Sequence, residues 1–102
     1  MPFLARWPGR IPAGKISDLP VCSIDIFPTV VEAAGAKLPG DRAIDGLSLM
    51  THLESGGITK LNRDELLWHF PHYRHAPGPY SIIRQGDHKL IKFWGGPFEL
   101  RS

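Results

Sequence analysis

The chain has 102 residues, a formal net charge of +2 at pH 7 and 42% hydrophobic residues, which allows one domain at most and a small core. Its 11 glycines and 10 prolines mark a loop-rich chain, short of the roughly 25–30% Gly and Pro content that signals disorder. One cysteine excludes an internal disulfide framework and a multi-cysteine zinc site, no apolar run approaches the roughly 18 residues of a membrane span, and the scattered Lys and Arg form no basic block for nucleic acid.

Phe3-Leu4-Ala5-Arg6-Trp7 is a short apolar run closed by Pro8-Gly9, which predicts a strand ending in a loop. The loop runs on through Pro12, Gly14 and Pro20. Asp25 then precedes Ile26-Phe27-Pro28-Thr29-Val30-Val31-Glu32-Ala33-Ala34, with Gly35 behind. This spacing predicts a helix capped by Asp25, with Pro28 tolerated in its first turn and Gly35 as its left-handed stop. Phe27, Val30, Val31 and Ala34 share one face, which calls for burial against something large. Ser48 is placed to cap a short helical turn carrying Leu49 and Leu53, ended by Ser55-Gly56-Gly57. Glu65 to Phe70 predicts a strand stopped by Pro71, with Leu66, Trp68 and Phe70 on one face. After a polar aromatic loop, Tyr80 to Arg84 and Lys89 to Trp94 flank Gln85-Gly86-Asp87-His88, a predicted hairpin. Gly95-Gly96 predicts a turn before Phe98-Glu99-Leu100, a third strand of a meander.

Five histidines are present, and His69, His72 and His75 recur at every third position. Pro71 and Pro77 break any regular helix there, so the spacing does not put three imidazoles on one face. No H-E-x-x-H pattern accompanies them. Three readings stand: a metal site, a polar loop at a strand end, or side chains that face a polar ligand together with Tyr73 and Arg74. Arg74 carries the forked donors that suit carboxylate or sulfate, and imidazoles donate to sugar hydroxyls. Cys22 lies near a helix start that would favour a thiolate, but the ordinary role of such a residue is a small buried hydrophobe. Ser23 and Ser48 lack the G-x-S-x-G setting of a hydrolase elbow, and the glycines form neither a P-loop nor a dinucleotide fingerprint. The residues by themselves supply no complete catalytic constellation.

The order of the segments carries more. Phe3 to Gly14, then Asp25-Ile26-Phe27-Pro28-Thr29 through Gly35, then Asp45-Gly46-Leu47-Ser48-Leu49, then Ile83-Arg84-Gln85-Gly86-Asp87-His88-Lys89-Leu90-Ile91 together resemble the sulfatase family, of the alkaline-phosphatase-like superfamily. Phe98-Glu99-Leu100 is similar to the family's closing Glu-Leu-Tyr strand, with Arg101 in place of the tyrosine. The resemblance covers the C-terminal portion only. It implies an α/β class: residues 1–60 as the end of the alkaline-phosphatase-like α/β domain, residues 61–102 as part of a small C-terminal antiparallel sheet.

The resemblance also implies a sulfuric ester hydrolase that uses calcium and a formylglycine made from the Cys of a C-x-P-S-R-type motif. Cys22 is followed by Ser23-Ile24-Asp25, so it does not match that position, and neither the calcium ligands nor the catalytic Lys and His have counterparts here. The isolated chain is therefore expected to be inactive, with the N-terminal part of the sulfatase domain as its missing partner. Met1-Pro2 fits the end of the family's Gly-Gly-x-Arg-x-Pro stretch, so Met1 resembles an internal methionine. His69, His72 and Arg74 are the candidates for contacting a sulfated small molecule or glycan at the substrate entrance. Two other readings remain: a phosphonate or phosphodiester hydrolase of the same superfamily, and a stand-alone module that binds a carbohydrate or anion. The resemblance leaves the compartment open, relatives of this kind being commonly periplasmic, secreted or lysosomal.

Overall fold

The computed structural model describes residues 2–73 and 78–94, and the backbone of 98–101. Two compact units divide the chain, Met1–Asn62 and Arg63–Ser102.

In the first unit Phe3 to Trp7 forms no strand, contrary to the sequence expectation. A strand exists only through hydrogen bonds to a neighbour, and this unit holds no other strand among its described residues. The turn behind it does form: the Arg10 and Ile11 N–H groups donate to the Trp7 carbonyl at 3.0 and 2.8 Å. A single 3-10 turn, Ser23–Asp25, leads into α1, Ile26–Ala33. Gly35 stops α1 as expected. With φ at 70°, its N–H donates to the Glu32 carbonyl at 3.0 Å, and the Ala36 N–H reaches Val31 at 3.0 Å, the paired bonds of a Schellman close. α2, Met50–Glu54, begins with the Ser48 hydroxyl accepting the Met50 N–H at 3.2 Å. It touches α1, and Pro28, Leu49 and Met50 are buried in this unit.

The expected apolar face of α1 is not covered. Phe27 is 50% exposed and Val30 58%, and Ala34 is exposed beside a half-buried Val31. Burial falls on Pro28 instead, because the unit contains no sheet to meet the other side. Such a patch drives association. The chain is therefore expected to self-associate, and the paired change Phe27→Glu, Val30→Lys to convert it to monomer in sedimentation. Because both side chains are half exposed, its stability should move by no more than about 0.5 kcal/mol.

The second unit is an antiparallel meander in the order β1-β2-β3-β4. The strands are β1 Glu65–Phe70, β2 Tyr80–Gln85, β3 His88–Phe93 and β4 Phe98–Arg101. Gln85 pairs with His88 across Gly86-Asp87. Gly86 takes φ 56°, the glycine-first form of a primed hairpin turn that matches the twist of its strands. Leu66, Trp68 and Phe70 oppose Arg84, Ile82 and Tyr80, which oppose Lys89, Ile91 and Phe93; alternation puts these nine on one face. There Phe70 stacks on Tyr80 with ring centroids 5.3 Å apart, and Tyr80 meets Phe93 edge-on at 6.4 Å. Leu67, His69, Ile83, Ser81, Leu90 and Lys92 take the other face. The predicted turn at Gly95-Gly96 lies outside the described residues.

Candidate functional site

His69 sits on β1 and is exposed. Its Nδ1 lies 2.7 Å from the Ser81 hydroxyl, its partner across the β1–β2 register. The Trp94 indole N–H donates to the same hydroxyl at 2.9 Å, and the His69 ring stands edge-on to Trp94 at 6.2 Å. Lys92, next in register after Ser81, holds its Nζ 5.0 Å from the Trp94 ring centroid. The hairpin thus sets Ser81 and Trp94 beside an imidazole that remains exposed.

His72 follows the strand and is exposed, with its ring edge-on to Phe70 at 4.9 Å. Phe70 and His69 are neighbours in β1 and so lie on opposite faces. The structure therefore does not gather His69 and His72 into one group. Arg74 and His75 lie outside the described residues. On the Phe70 side the sheet carries an open concavity of about 330 Å³. Trp68, His69, Phe70, Tyr80 and Ile82 line it, and Arg84 and Lys89, paired across β2 and β3, supply its charge.

Asp25 is a structural residue, and its role differs from the predicted helix cap. It is fully buried and makes no cap bond to α1. One carboxylate oxygen accepts the Cys22 N–H at 2.9 Å, the other the Leu47 N–H at 3.0 Å. Thr29 continues this link, donating its hydroxyl to the Asp25 carbonyl at 2.6 Å and accepting the Leu49 N–H at 2.8 Å. Cys22 is half-buried rather than sealed in a core. Sequence reasoning passed over His52, which is buried and bonds through Nε2 to Ser17 Oγ at 2.7 Å and through Nδ1 to the Thr59 carbonyl at 2.5 Å. Both its nitrogens are used in holding loops together. Ser81, Lys92 and Trp94 were also missed, since only the register brings them to His69.

Among the described residues, no three His, Cys, Asp or Glu side chains come together as a metal ligand set, and no helix is long and apolar enough to cross a membrane.

The family model for N-sulphoglucosamine sulphohydrolase, C-terminal, matches residues 1–100. The chain is similar to the arylsulfatase G of Canis lupus familiaris, 55% identical over 98 residues that cover 94% of this chain and 18% of that protein. It is similar to the steryl-sulfatase of Mus musculus, 43% identical over 70 residues, 69% of this chain and 11% of that one. A protein solved in complex with its substrate, D-glucosamine-2-N,6-O-disulfate, matches the fold with a TM-score of 0.83 and 31% identity, over 95% of this chain and 20% of that chain. The chain thus spans about a tenth to a fifth of the length of these relatives.

Proposed function

Because the chain belongs to the N-sulphoglucosamine sulphohydrolase C-terminal family of the sulfatases, we propose that it is the C-terminal segment of a sulfuric ester hydrolase acting on sulfate esters, those of sulfated sugars included. The match of the whole fold to a protein solved with a sulfated glucosamine carries this reading. In it, residues 1–60 close the α/β domain, residues 61–102 form the small sheet, and His69, His72 and Arg74 border the substrate entrance. The uncovered face of α1, with Phe27 and Val30 half exposed, supports a partner surface on the N-terminal part of the sulfatase domain.

Calcium and formylglycine, which the family implies, do not fit the residues of this chain. Both carboxylate oxygens of Asp25 accept backbone N–H bonds, and Cys22 lacks the Pro and Arg of the modification motif. No hydrolytic step is assigned to these residues. Nucleophile and metal together carry such chemistry, so the purified chain is expected to release no sulfate from p-nitrophenyl sulfate, with or without calcium. Release that scales with protein and survives repurification would overturn the segment reading.

The concavity floored by Trp68, Phe70 and Tyr80 beside Arg84 and Lys89 favours a second reading, a carbohydrate- or anion-binding module that stands alone. A monomer with one sharp thermal transition and no exposed apolar surface would support it.

A further inference from the structure

The geometry points to Ser17 and His52 as a nucleophile–base pair that takes the acyl group of an activated carboxylic ester onto the Ser17 hydroxyl. Both residues belong to the unit Met1–Asn62, and the chemistry does not draw on the hydrolysis of sulfate esters.

The proton positions follow from the partners. His52 Nδ1 lies 2.5 Å from the Thr59 carbonyl oxygen, which only accepts, so Nδ1 carries the ring proton. In the neutral imidazole Nε2 is then a bare lone pair, and the Ser17 hydroxyl donates to it at 2.7 Å. The Leu19 N–H occupies one lone pair of the Ser17 oxygen at 3.2 Å and leaves the second for attack. The base is held from behind: Ser55 Oγ donates to the His52 carbonyl at 2.9 Å and accepts the Thr59 N–H at 2.9 Å. A hydroxyl bonded to a base that a third group orients is the arrangement that activates a serine. Here a backbone carbonyl takes the place that a carboxylate holds in a hydrolase triad.

Access follows from burial and from Gly57. His52 is 6% exposed, which shields the base from water, whereas Ser17 is exposed. Gly57 takes φ 91°, and a Cβ there would lie 3.4 Å from Ser17 Cβ, 3.7 Å from its Oγ and 3.8 Å from His52 Nε2. The missing side chain keeps this side of the pair open. Ile16 and Ile58, next in the chain to Ser17 and Gly57, are 92% and 83% exposed, a setting that suits a short uncharged acyl group better than an anion. In the step, the bond from Ser17 Oγ to the acyl carbon forms and the bond from that carbon to the leaving oxygen breaks. The hydroxyl proton passes to His52 Nε2, the leaving group departs as its anion, and the imidazolium keeps its Nδ1–H on the Thr59 carbonyl. The product is an acyl-serine.

The full chain treated with p-nitrophenyl acetate gives the test, read as p-nitrophenolate release and as acetyl groups located by peptide mass spectrometry. Ser17 is expected to be acetylated about a hundredfold faster in the folded chain than in urea, the low end of what a positioned base contributes. Ser17→Ala should remove the rapid release. His52→Gln, with Ser17 still in place, should slow acetylation at Ser17 by about a hundredfold. If His52→Gln loses its helical circular dichroism signal, the ratio of folded to urea rates in the unmodified chain decides alone. Equal rates at Ser17 in the folded chain and in urea overturn the pair, as does acetyl found only on lysines or the amino terminus. An undiminished rate at Ser17 in a folded His52→Gln overturns it too. No sulfate ester enters these readings, so they stand or fall apart from the sulfatase reading.

Discussion

Asp25→Ala should unfold the first unit, lowering its stability by about 3–5 kcal/mol. The carboxylate has no exposure to water and accepts the Cys22 and Leu47 N–H groups at 2.9 and 3.0 Å. Its removal leaves both part-buried donors without this partner, and an unpaired buried donor costs about 1–3 kcal/mol. It also cuts the tie between the turn before α1 and the loop leading into α2, a closure over 22 residues. Asp25→Asn keeps one carbonyl oxygen and should lose about half as much. The helical circular dichroism signal against urea gives the measurement, and an unchanged midpoint in Asp25→Ala would contradict the assigned role.

Gly46→Ala should destabilise the same unit by about 3 kcal/mol or more. No positive φ is involved at this glycine; the reason is close approach. A Cβ there would lie 3.0 Å from the Asp25 nitrogen, 2.5 Å from the Ile24 carbonyl carbon, and closer still to its oxygen. These are backbone atoms, so no side chain can swing aside. The segment Asp45 to Leu49 would have to lift, and the Leu47 bond to Asp25 would go with it. Gly40→Ala, where an added Cβ meets nothing within 4 Å, is the control. Equal melting temperatures for the two variants would refute the close packing.

Local signals made much of this fold legible. Pro71 and Gly86 bracket strands whose alternation is plain in the sequence, and β1 begins and ends where it was predicted. Gly35 closes α1 because its stop needs only the helix's own carbonyls. The failures are non-local. Phe3 to Trp7 has the composition of a strand, but composition cannot supply a neighbour to bond. Phe27 and Val30 mark an apolar stripe, and nothing in the chain's first unit covers it. The position of Asp25 before α1 reads as a cap, while its cross-link to Leu47 spans a loop that periodicity does not describe. At the candidate site the sequence pointed to His69, yet its setting depends on Ser81 and Trp94, 12 and 13 residues away and joined only by register. Spacing groups His72 with His69, and strand alternation separates them.

Sulfate release by the product of the full reading frame that contains these 102 residues is the most direct measurement. D-glucosamine-2-N,6-O-disulfate, a phosphonate and a phosphodiester are offered side by side. If the chain closes a sulfatase, the frame continues upstream of the Met1 codon into a C-x-P-S-R-type motif, and its product frees sulfate from the sugar while the isolated chain does not. A product that cleaves the phosphonate or phosphodiester and leaves the sulfate ester intact would contradict that function. So would a frame that closes just before Met1 and yields a monomer with a single sharp thermal transition.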